Sequence, residues 1–159
     1  MNRQRGVILL ASLVLMLALG LLGASALQGA LLQQRMAGNL AVSLRGLEQA
    51  EATLAVGEMQ LPLALPAPCT VCLAPVDAHD DAARSAQAWR STRDGFYLLQ
   101  NLGPSLRAVH RPIGRPVTLF RITAVSRADS GRQVLESVVA LEEGGAPLRI
   151  MWRQRLREE

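Results

Sequence analysis

Hydrophobic and polar positions divide this chain sharply. From Val7 to Leu27 no charged residue occurs over 21 positions, and a helix needs about 20 residues to cross the hydrocarbon layer of a bilayer. Charges return beyond Gln34, and there the apolar spacing becomes one-sided. Leu40, Leu44, Leu47 and Leu54 follow at intervals of 4, 3 and 7, while Arg45, Gln49 and Glu58 fall on other faces. The pattern predicts one helix of about 50 residues, apolar all round at first and amphipathic to about Val56, with Gly57 as its stop. Gly38 and Gly46 weaken that helix by about 1 kcal/mol each relative to alanine.

Helical periodicity then ends. "LPLALPAPCTVCLAPVDAHDD" contains Pro62, Pro66, Pro68 and Pro75, which remove backbone donors and favour an extended surface connection. Ala82, Ala83, Ala86 and Ala88 predict a short helix over Asp81 to Arg90. Strand signals follow. "FYLLQNL" (96–102) lies between Gly95 and Gly103; "VTLFRITAVS" (117–126) alternates Val117, Leu119 and Arg121 against Thr118, Phe120 and Ile122; "QVLESVVAL" (133–141) follows a turn-like stretch. The last two form a hairpin through Ala128 to Gly131. "PLRIMWRQRL" (147–156) adds an edge strand whose arginines discourage further pairing.

Helix followed by consecutive antiparallel strands gives an α+β fold: a long N-terminal helix whose amphipathic half packs on a small antiparallel sheet head. The organisation expected is a leader over 1–6, a transmembrane half-helix over 7–27, and an amphipathic half-helix over 28–57. A variable loop region over 58–94 and a sheet head over 95–159 complete the chain.

Charge adds little to this picture. The net charge is +4, and all 17 basic residues are arginine, scattered singly among acids with no aromatic-interleaved basic patch, so nucleic acid is not an expected partner.

The N-terminus does change the picture. Arg3 and Arg5 ahead of the apolar run place the N-terminus in the cytoplasm and the head in the periplasm. Three fates share this orientation. Ala24-Ser25-Ala26 forms an A-x-A site that signal peptidase would cut before Leu27, although the apolar run exceeds the usual signal length. An unprocessed single-pass anchor is the second. The third rests on Gly6, which stands between the arginines and the first apolar residue.

"RQRGVILLASLVLMLALGLLG" resembles the class III signal of type IV pilin precursors, in which prepilin peptidase cuts after glycine and leaves the apolar helix intact. Cleavage would fall between Gly6 and Val7. Pilins usually begin with phenylalanine and carry glutamate at the fifth mature position; here those positions hold Val7 and Ala11. A carboxylate inside a membrane is costly and is kept where it has a partner. A subunit with Ala11 lacks that pairing group and suits one end of a filament better than its shaft.

Further along, "QQRMAGNLAVSLRGLEQAEATLAVGE" (33–58) is similar to the signature of the PilX family of minor pilins. The matching block is Arg35, Met36, Ala37, Gly38 and Asn39, followed by Ala50, Glu51 and Ala52. "FRITAVSRADSGRQVLESVVAL" also looks similar to the C-terminal part of such pilins. The resemblance implies a non-enzymatic subunit, methylated after processing, that initiates and caps type IV pilus growth, with roles in twitching motility and adhesion. Its implied partners are other minor pilins, the major pilin, prepilin peptidase, a tip adhesin and, before assembly, inner-membrane lipid. The alternatives are a minor pseudopilin of a type II secretion system, which is substantially longer, and a secreted or anchored periplasmic binding domain.

Candidate chemistry is sparse. Cys69 and Cys72, the only cysteines, form C-x-x-C. A zinc site would have to recruit His79 and His110 without regular ligand spacing, and a redox pair lacks a surrounding strand-to-helix unit. In an oxidising periplasm a short structural disulfide is the favoured reading. Ser126, Ser130 and Ser137 lack a nucleophile elbow. Asp77, Asp80 and Asp81 lack the glycine and glutamate of an EF-hand and read as a solvated acidic loop, and His110 as an exposed loop residue. No catalytic residue, cofactor or metal is expected.

Overall fold

A computed structural model describes residues 2–70, 72–80, 82, 85, 87–128 and 130–156, with side chains from Leu9 onward. The chain divides into two compact units, residues 1–41 and 42–159. Helix α1 runs over Asn2–Gln60 and is followed by five strands: β1 (Arg90–Ser91), β2 (Gly95–Ser105), β3 (Val117–Ser126), β4 (Val134–Leu141) and β5 (Leu148–Arg155). The strands form one antiparallel sheet in sequential order. This is the α+β arrangement expected, a long apolar N-terminal helix and an antiparallel sheet.

In the first unit the helix stands alone. Its large apolar side chains from Leu9 to Leu32 are all at least half exposed, so nothing in this unit covers them. The Ser12 hydroxyl donates to the Leu9 carbonyl at 2.9 Å, which satisfies the polar group within the helix itself.

In the second unit the rest of α1 lies on the sheet. Ala50, Leu54 and Leu61 pack against Tyr97, Phe120, Ile122, Ala124, Leu135 and Val139, with Leu47 and Val56 at the margin. The buried stripe is therefore centred differently from the leucine pattern. Leu40 and Leu44 are 60% and 55% exposed, and small residues take the places closest to the sheet.

Gly46 and Gly57 explain why. A Cβ on Gly46 would run into the Gly131 carbonyl oxygen, and one on Gly57 would lie 2.8 Å from Ile122 Cγ2. Gly57 does not stop the helix, which continues to Gln60 and ends in a tight turn over Leu61–Leu63. Pro62 and the burial of Leu61 end it instead.

The sheet's other face is also covered. Ala78, Ala82, Val125 and Val134 form a second cluster with Trp89 and Phe96 at its edge. The proline-rich connection supplies this cover, so it is more than a surface loop. Arg121 Nη1 donates to the Cys72 carbonyl at 2.9 Å, Gln100 Nε2 to the Leu73 carbonyl at 3.0 Å, and Arg155 Nη1 to the Pro75 carbonyl at 2.9 Å. Proline-interrupted backbone leaves carbonyls without ladder partners, and long side chains from the sheet satisfy them.

The helix expected over Asp81 to Arg90 is not formed in its C-terminal part. Gln87 to Trp89 are irregular and Arg90 opens β1, while Asp81, Ala83, Arg84 and Ala86 lie outside the described residues. Strands β2 to β5 fall where alternation places them. The β3–β4 connection joins Val125 to its register partner Val134, though Asp129 within it lies outside the described residues.

Candidate functional site

Two regions carry chemistry that the core does not absorb: the bare apolar helix of the first unit and the polar network on the sheet of the second. The helix is long and apolar enough to cross a bilayer. Every backbone donor within a continuous helix has its own carbonyl partner, which is the condition for spanning hydrocarbon. Gly6 and Val7 lie within α1, and the Val7 side chain lies outside the described residues. Ala11 sits exposed on the helix.

Arg35, Met36, Ala37, Gly38 and Asn39 occupy consecutive exposed positions of the same helix. Met36 is 67% exposed, and a Cβ on Gly38 would meet open space. Consecutive helical residues point around the whole circumference, so the block forms no pocket. Ala50 belongs to the core, whereas Glu51 and Ala52 are exposed. The matched residues do not converge on one site in either unit.

Cys69 and Cys72 are joined by a disulfide with Cα atoms 5.5 Å apart. The small ring is docked on β2 through Asn101. The Cys69 N–H donates to the Asn101 carbonyl at 3.1 Å, and Asn101 Nδ2 donates to the Pro66 carbonyl at 3.1 Å. Asn101 Oδ1 also accepts the Gly103 N–H at 3.0 Å, across the bulge where Gly103 has φ +94°. Sequence reasoning passed over Asn101; the available signal was the Asn-x-Gly spelling inside a strand, which marks a bulge.

Glu136 is the other residue that sequence reading missed. It is fully buried on β4, with Oε2 2.6 Å from Arg153 Nη2 and Oε1 3.4 Å from Arg155 Nη1. Arg153 Nε also donates to Oε2 at 2.8 Å. Arg155 in turn reaches Pro75, so the carboxylate ties the edge strand and the covering connection together. A buried carboxylate is retained where charge-assisted hydrogen bonds answer it. Its neighbour Ser137 is buried in the sheet with no base placed beside its Oγ.

A third ion pair joins helix to edge strand. Arg149 donates to both oxygens of Glu58, at 2.7 and 2.5 Å. This bidentate bond pushes the Arg149 guanidinium above its ordinary value, opposed by partial burial. Its contribution to stability is complete below the unfolded arginine value and is lost only as pH rises through the folded one, far above neutrality.

The acidic loop is partly structured. Asp77 lies in a 3-10 turn over Val76–His79 and accepts the Ser85 hydroxyl, while Asp81 lies outside the described residues. His110 is exposed and holds φ +61°. Among the described residues no three His, Cys, Asp or Glu side chains are grouped to hold a metal ion. Comparison with family models, curated proteins and solved structures finds no match to this chain.

Proposed function

We propose that the protein is a minor pilin of the PilX type: a non-enzymatic subunit, processed after Gly6, that helps initiate type IV pilus assembly and caps the filament. One observation supports it most. Helix α1 continues unbroken from Asn2 to Gln60, bare and apolar in the first unit and built into the sheet core in the second. A cleaved signal would give the sequence no reason to continue the helix past Leu27. Large apolar surface without cover calls for lipid before assembly and for neighbouring helices after it.

In this reading the subunit waits in the inner membrane with its head in the periplasm, then enters the pilus near its tip. Other minor pilins and the major pilin pack on the helix, and a tip adhesin is a further partner of the head. Ala11 fits an end position because a shaft subunit keeps a carboxylate there for its neighbour's terminal amine. Installing that carboxylate tests the capping role. Ala11→Glu is expected to change pilus number or the subunit's incorporation in the native host, scored by electron microscopy and immunoblotting of sheared filaments. Unchanged pili and unchanged incorporation would defeat the capping role.

A further inference from the structure

Between two buried anchors the covering connection carries a strap that buries none of its described residues. Leu61 is fully buried just after α1, and Pro75 and Ala78 are fully buried further on. From Pro62 to Thr70 and from Cys72 to Ala74 every residue is at least partly exposed, Leu63 and Leu73 at 78% and 74%, while Val71 lies outside the described residues. Polar contacts hold the strap instead, and they converge on the disulfide. The Cys69 N–H is bonded to the Asn101 carbonyl of β2, and the Cys72 carbonyl to Arg121 of β3. The two sulfurs lie 2.9 and 3.6 Å from that same Asn101 oxygen. On either side of the ring, the Pro66 and Leu73 carbonyls accept from the Asn101 and Gln100 side chains.

The ring lets these anchors act together. With their Cα atoms 5.5 Å apart, the bonded cysteines present one N–H and one carbonyl to neighbouring strands at once. Pro66, Pro68 and Pro75 deny the segment a helix of its own. Once the S–S bond is open, the backbone freedom regained over about a dozen residues opposes a few hydrogen bonds of small net strength. No buried side chain then restrains the segment locally. The strap also caps an edge. Strand β1 pairs with β2 at Phe96 and Tyr97. Beyond them, among the described residues, the one backbone-to-backbone bond that reaches this edge comes from Cys69, beside the bridge between Pro68 and Asn101. An uncapped strand edge offers its backbone to another strand.

We propose that Cys69 and Cys72 form a redox latch: oxidised, the disulfide holds the strap on β2; reduced by a dithiol, it lets the strap leave and uncovers the β2 edge from Leu98 to Ser105. The chemistry is thiol–disulfide exchange. A thiolate of the donor attacks one cysteine sulfur, which breaks the S–S bond, releases the other cysteine and forms a mixed disulfide. The donor's second thiolate then displaces the cysteine still bound. The donor ends oxidised as a disulfide, and the two protons of its thiols finish on Cys69 and Cys72. Both cysteines are partly exposed, as such an attack requires. The pair is a substrate of exchange and not its catalyst, and the latch does not depend on the filament reading.

The test is hydrogen–deuterium exchange of the full-length protein in detergent, before and after dithiothreitol, with reduction verified by the mass of the alkylated thiols. Peptides covering 62–74 are expected to exchange at least about tenfold faster once reduced, the scale of losing one or two hydrogen bonds. Peptides of β3 and β4 should keep their protection. Cys69→Ser combined with Cys72→Ser should reproduce the reduced pattern without reductant. The reduction arm starts from folded protein, so the result does not rest on the variant's folding. Three outcomes would overturn the proposal: a disulfide that dithiothreitol does not reduce in the folded protein, unchanged exchange of the strap after full reduction, or an equal rise across β3 and β4. The last would mark a staple of the whole head and not a latch on one segment.

Discussion

Gly46 and Glu136 show how single residues are decided by what lies across from them. By propensity alone Gly46→Ala should strengthen α1 by about 1 kcal/mol. The Gly131 carbonyl occupies the space of the new methyl, so we expect a net loss of about 1–3 kcal/mol, the scale of overpacking. A chemical denaturation series on the detergent-solubilised protein would measure it, and a gain in stability would contradict the close approach. Glu136→Gln keeps the shape but strips the charge from a fully buried site. The two arginines are left with a weaker acceptor, though Arg153 is half exposed and can turn to water. The expected cost is about 1–3 kcal/mol by the same measurement. Neither role was legible from the sequence. Propensity scales score a glycine against its own helix, and no local pattern shows that Glu136 has Arg153 and Arg155 as partners from the next strand.

Among the elements, the strands were the most legible and the covering connection the least. Alternation at period two, punctuated by Gly95, Gly103 and Gly131, placed β2 to β4 within a few residues because local pattern and sheet burial agree. The helix was legible as an element, and its contact stripe in part. Leucine spacing pointed to Leu40, Leu44, Leu47 and Leu54; Leu47 and Leu54 do pack on the sheet, whereas Leu40 and Leu44 are exposed and Gly46, Ala50, Thr53 and Gly57 take the closest places. Small residues that permit close approach carry no hydrophobic signal. The connection over 64–79 has no periodicity at all, and its anchors are side chains 27 to 80 residues away, such as Gln100, Arg121 and Arg155. Its disulfide closes a very short loop, so reduction should cost about 2 kcal/mol on a chain-entropy basis. A thermal melt with and without reductant checks this. The same melt in Arg149→Ala should show a loss of about 1 kcal/mol or less, because that arginine is nearly half exposed.

On the scale of the whole molecule, one helix carries two kinds of surface. Its C-terminal part is completed by the sheet, with Glu58 clamped by Arg149 and Leu54 sealed in the core. Its N-terminal part exposes leucines from Leu9 onward and is incomplete in water. That incompleteness is what a membrane and then a bundle of like helices would satisfy, and it makes the fate of the first residues decisive. Signal peptidase would remove the apolar helix, prepilin peptidase would keep it, and an unprocessed anchor would retain the arginine leader. N-terminal sequencing of the mature protein from its native host separates these directly. The account predicts a chain beginning at Val7, with its amine methylated. A chain beginning at Leu27, or one still carrying Met1, would contradict it.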